Sequence, residues 1–87
     1  MTELVKPFIN INGSDPDRMM EDILAARDKL SEAIKAMKEI IPHGRDYPGR
    51  TDLYAKARDQ HLDRIRALIK IENEMYEIVE HIYDNKR

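Results

Sequence analysis

The sequence predicts an all-α protein: a long antiparallel helical hairpin with a short extended N-terminal arm, assembling as a helical bundle oligomer. Three observations carry this expectation. Apolar residues recur at helical spacing over two long segments, a proline- and glycine-bearing stretch divides them, and the composition leaves little room for sheet. Charged residues make up 37% of the 87-residue chain and apolar ones 41%, with three glycines and four prolines. A β-sandwich would need many more turns. The whole chain, residues 1–87, reads as one helical domain near the lower size limit for a self-sufficient core.

Residues 1–13 read as an extended arm. Phe8-Ile9-Asn10-Ile11-Asn12 alternates apolar and polar residues, and Pro7 disfavours helix. A single strand has no partner in this sequence, so the arm is expected to lie on the helices or pair with another copy.

Helix one is expected over residues 15–41. Ser14 reads as its N-cap, Asp15 and Asp17 suit the positive helix terminus, and Pro16 fits the first turn. Met20, Ile23, Leu30, Ile34, Met37 and Ile41 form the main apolar row. Met19, Ala26, Ala33 and Ile40 widen it beyond a coiled-coil seam. Pro42 pushes Ile41 out of helical geometry, and Gly44 is expected to finish the turn.

Residues 42–50 form the connector, in which Tyr47-Pro48-Gly49 reads as a turn. Helix two is expected over 51–84, with Thr51 as N-cap and a length of roughly 50 Å. Tyr54, His61, Leu68, Met75 and Ile82 recur every seven residues, and Leu62, Ile69, Tyr76 and Tyr83 form a second row. One helix-to-helix contact covers about one row on each helix. The uncovered rows call for self-association.

Motifs for catalysis are missing from the sequence. It has no cysteine, no Gly-x-Ser-x-Gly elbow, no Walker loop and no GxGxxG. His43, His61 and His81 lack the Glu-x-x-His or His-x-x-x-His spacing that builds metal sites in helical bundles. Glu77 and His81, four apart, read as a surface ion pair. The chain is therefore expected to be a non-enzyme with no cofactor and no metal. A formal net charge of -2, with acids and bases alternating along both helices, disfavours general nucleic-acid binding. No apolar run approaches the roughly 20 residues that span a bilayer, and Met1 to Lys6 lacks the apolar core of a signal peptide. A cytoplasmic location is expected.

Charged residues occupy three seam positions: Arg27, Arg58 and Glu72. If Ile41 lies opposite residue 53 or 54, Arg27 falls near Leu68 and within a turn of Glu72. A register-setting Arg27–Glu72 pair is one reading; an anion-holding cavity between subunits, lined by Arg27 and Arg58, is the other.

The connector gathers His43, Arg45, Tyr47 and Arg50, with Asn12 nearby if the arm folds over the loop. Arginine forks match phosphate, a tyrosine ring offers a stacking face, and glycines let backbone N–H groups approach a ligand. The competing reading pairs Asp46 with Arg45 or Arg50 and packs Tyr47 on the helix ends.

Asn12-Gly13-Ser14 and Pro42-His43-Gly44-Arg45-Asp46-Tyr47 together resemble a group of small bacteriophage helical-hairpin proteins. That group carries an Asn-Gly-Ser/Thr lead and a Pro-x-Gly-Arg-Asp-Tyr connector. The sequence departs from it at His43, where asparagine is usual, and at Pro48, where a second tyrosine is usual. The resemblance implies phage origin, the cytoplasm of a host cell, and stoichiometric action rather than catalysis. Sequestration of a small anionic ligand, such as a nucleotide immune signal, would use Arg45, Tyr47, Arg50, His43 and Asn12. An inhibitor or adaptor of a host defence enzyme, anti-CRISPR-like, would use an acidic helix face. A structural part of a phage assembly is the third reading. A ligand site should concentrate basic and aromatic residues from two subunits, whereas an inhibitor should show one contiguous acidic face.

Overall fold

The computed structural model describes residues 3–86; Met1 and Thr2 of the expected arm, and Arg87, lie outside the described residues. Helix α1 spans Pro16–Glu39 and α2 spans Thr51–Asn85, packed against each other as a hairpin, with one 3-10 turn, Gly44–Asp46, in the connector. No strand forms among the described residues.

The helix boundaries shift from expectation for local reasons. Proline disfavours helical geometry in the residue before it, which places Asp15 (φ -59, ψ 123) at the N-cap and Ser14 outside the helix. Helix α1 ends two residues early, at Glu39. Ile40 is already extended ahead of Pro42, and its N–H turns back to the Met37 carbonyl at 3.2 Å. Arg50, not Thr51, is the N-cap of α2, and neither N-cap residue makes a side-chain capping hydrogen bond. Gly44 opens the 3-10 turn instead of closing the helix. Gly49 carries the positive φ (71°), so Tyr47-Pro48-Gly49-Arg50 closes as expected, with Arg50 N–H on the Tyr47 carbonyl at 3.0 Å.

These boundaries reset the register. Arg27 meets Tyr76, about two turns further along α2 than Leu68. The connector uses up the difference by folding back over the first turns of α2, where Tyr47 and Tyr54 pack with ring centroids 6.4 Å apart.

Ile34, Ile65, Val79 and Ile82 form the buried apolar core, with Ile82 fully enclosed. His61 is buried among them and donates from Nε2 to the Met37 carbonyl at 2.6 Å. Carbonyls in the last turn of a helix lack intrahelical partners, so this histidine serves as a cap supplied by the other helix. The arm turns through Asn10, whose Oδ1 accepts the Asn12 N–H at 3.0 Å and whose carbonyl accepts that of Gly13 at 3.1 Å. A Cβ at Gly13 would come within 3.0 Å of the Asn10 amide nitrogen, so the turn favours glycine there.

The molecule measures 63 × 27 × 16 Å, a single layer of two helices. Its radius of gyration is 18.5 Å, against roughly 12 Å for a compact domain of this length. Its accessible surface of 7138 Å² exceeds by about 1,800 Å² the area of a compact monomer of this mass.

Candidate functional site

The structure separates the residues that the sequence grouped. Asn12 precedes α1, whereas His43, Arg45, Tyr47 and Arg50 lie beyond its far end, roughly 36 Å away along 24 helical residues. The arm does not fold over the loop within one chain. It docks instead on the end of α2, where His81 donates from Nε2 to the Pro7 carbonyl at 2.9 Å. His81 therefore holds the arm, and the expected Glu77–His81 ion pair is absent among the described residues.

Within the connector, Arg50 is already engaged. Its Nε and one terminal nitrogen donate to the two Asp52 oxygens at 3.1 and 2.9 Å. That bond raises the arginine pKa and holds the Asp52 carboxyl below its ordinary value. Asp46 forms no ion pair with Arg45 or Arg50 among the described residues. Tyr47 is half-buried against Tyr54, which occupies one of its ring's neighbourhoods. Arg45 and His43 remain exposed to solvent. The connector thus presents His43, Arg45 and Asp46 on an open surface, none of them in an ion pair among the described residues.

The seam charges also differ from expectation. Glu72 accepts a short hydrogen bond from the Ser31 hydroxyl, and no Arg27–Glu72 ion pair forms among the described residues. Arg27 stacks over the Tyr76 ring, 4.7 Å from its centroid, and its Nε is buried without an acceptor. An unpaired buried donor costs about 1–3 kcal/mol. Arg58 lies over Tyr54 at 5.9 Å and reaches Asp59 at 3.6 Å, both on its own helix.

A groove lies at the open end of the hairpin, away from the connector. Met20 and Leu24 of α1 and Tyr76, Val79 and Tyr83 of α2 line this groove, of about 820 Å³. Asp17, Glu21, Glu80 and Asp84 stand around these apolar residues. Only Asp17 meets a cation among the described residues: Lys86 donates to it at 2.8 Å, which raises the lysine pKa. A smaller hollow of about 200 Å³ at the connector end joins Ile40, Ile41, Pro42, Leu62 and Ile65 to Lys38 and Arg58.

Sequence periodicity gives the apolar half of this groove, the row Leu62, Ile69, Tyr76 and Tyr83, whereas the charges along both helices alternate in sign when read without regard to their place on the axis. The missed signal was position along the axis. From residue 71 to 85, α2 carries Glu72, Glu74, Glu77, Glu80 and Asp84 and no lysine or arginine. The hairpin sets this stretch beside the acid-rich start of α1.

No group of three or more acidic, histidine or cysteine side chains is placed to hold a metal ion among the described residues, and no described helix is long and apolar enough to cross a membrane. Compared with protein-family models, curated proteins and solved structures, the chain matches none.

Proposed function

We propose that this chain is a non-enzymatic protein-binding module that works through the groove face of the hairpin and associates with itself as a helical bundle. The observation that carries the reading is the open-end groove, where five apolar side chains are ringed by four carboxylates. An apolar floor with a charged rim is the anatomy of a protein interface. The surface excess of about 1,800 Å² supports the same reading, since a stable interface removes roughly 800 Å² from each partner. The acidic rim suits a partner surface that is apolar and cationic. The phage-like motifs add a target class to this proposal, a host defence enzyme bound stoichiometrically.

A second reading, capture of an anionic ligand at the connector, is favoured by one observation: His43 and Arg45 are exposed, and Arg45 forms no ion pair among the described residues. It has less support than the groove, because Arg50 is held by Asp52 and the connector offers a ligand little enclosure.

Sedimentation equilibrium at micromolar concentration tests the proposal, with at least twice the 10.2 kDa chain mass expected. Parallel titrations of the wild type with mononucleotides, dinucleotides and cyclic nucleotides test the second reading. A stable monomer that takes up nucleotides would reverse the order of the two.

A further inference from the structure

The two hollows belong to one face. Met20 of the open groove and Lys38 of the connector hollow lie eighteen residues apart on α1, five full helical turns, and so share a stripe. On α2 the seven-residue row from Leu62 to Tyr83 links the same two places. Along this face the charge changes sign. Glu21, Glu80 and Asp84 border the open end with no cation paired to them among the described residues, Lys86 there being held by Asp17, whereas Lys38 and Arg58 border the connector end, where Arg58 also reaches Asp59 at 3.6 Å. Arg27, with its unpartnered Nε, lies between the two poles.

We propose that two copies pack groove face to groove face in antiparallel orientation, so that the acidic open end of each covers the basic connector end of the other. The inference rests on the protein-binding reading of the groove and specifies its occupant. Three observations on the molecule select a second copy in this orientation. A layer 16 Å thick leaves its apolar face uncovered, and the excess surface of each chain exceeds the roughly 800 Å² that a standard interface removes from each partner. The two poles are complementary only when the copies run opposite ways. A parallel pair would set Glu21, Glu80 and Asp84 of both copies together, and like charges facing each other oppose association. A two-fold axis across the middle of the face also closes the assembly at two chains instead of propagating a filament. The arrangement brings each copy's arm, with Asn12, toward the other's connector.

The chain has no cysteine, so single introduced ones give unique labels. Ser14→Cys marks the open end and Asp46→Cys the connector, both at exposed positions. After mixing, energy transfer from donor-labelled Asp46→Cys to acceptor-labelled Ser14→Cys should be high. Transfer between two Asp46→Cys copies should be low. Charge reversal adds a second arm. Glu21→Lys with Glu80→Lys should weaken the dimer about tenfold, more at low salt, and adding Lys38→Glu with Arg58→Glu in the same chain should restore it. Circular dichroism checks that each variant keeps its helices. A dimer with strong Asp46–Asp46 transfer would overturn the orientation while leaving the protein-binding reading intact. A chain that stays monomeric at the highest concentrations would overturn the proposal and remove self-association from that reading as well.

Discussion

The two ends of the hairpin solve the same problem with different means. At the open end, where the helices begin and finish, the arm is tied down by His81 on the Pro7 carbonyl and Lys86 joins Asp17 across 69 residues of chain. Val79 and the fully enclosed Ile82 lie beneath. At the connector end, Ile40 and Ile41 are 57% and 64% exposed, and order comes from a buried histidine on a carbonyl, a tyrosine pair and a proline–glycine turn. The open end joins packing to polar clasps, whereas the connector end leaves its isoleucines exposed and relies chiefly on polar clasps and a turn. A short loop between two helices has too few side chains to build a core, so it relies on hydrogen bonds that local geometry can aim.

The sharpest test of that contrast is a pair of truncations. Ile82→Ala should destabilise the chain by about 2–5 kcal/mol, the range for deleting a buried isoleucine. In the dilute, unassociated chain Ile41→Ala should move stability by no more than about 0.5 kcal/mol. Urea unfolding of both, at one protein concentration because of self-association, measures the difference. A similar loss from both would show that Ile41 is covered in the working form.

The polar clasps come next. His61→Ala removes a buried hydrogen bond and leaves the Met37 carbonyl with the Ile40 N–H alone, so a loss of about 1–3 kcal/mol is expected. His81→Ala should lose about 0.5–1.5 kcal/mol and leave both helices intact. Its signature is faster proteolytic cleavage between residues 3 and 13, read by mass spectrometry. Unchanged cleavage would mean that His81 does not hold the arm.

The smallest effect belongs to the connector's ion pair. Asp52 has a depressed folded-state pKa, caused chiefly by its bond to Arg50, so its contribution is present above the unfolded carboxylate value. That contribution is lost as pH falls through the lower folded value. Thermal melts of wild type and Asp52→Asn should therefore differ slightly near neutral pH and converge in strong acid. Both groups are exposed, so added salt should shrink the neutral-pH difference. A gap that persists in strong acid would assign Asp52 a role other than the pair.

The hairpin itself was legible in the chain because helical periodicity, proline placement and glycine turn chemistry are local properties. The spacing of Ile34, His61 and Ile82 places them on the seam, and each is buried. The proposed anion site was not legible in the same way. Arg50 and Asp52 stand two apart, yet only the backbone direction at the start of α2 turns one fork onto the other. Asn12 and Arg45 are grouped in the expected anion site but lie at opposite ends of α1.

By itself, then, the sequence determined two helices, their turn and the row of side chains between them, since each depends on residues a few positions apart. Only the tertiary structure decided the register, which follows from how much connector folds back over α2. It also replaced the expected Arg27–Glu72 pair with Arg27 on Tyr76 and Ser31 on Glu72. The gathering of acid at one end is a tertiary effect too, because carboxylates near residues 17–21 and 80–84 become neighbours only when the chain doubles back.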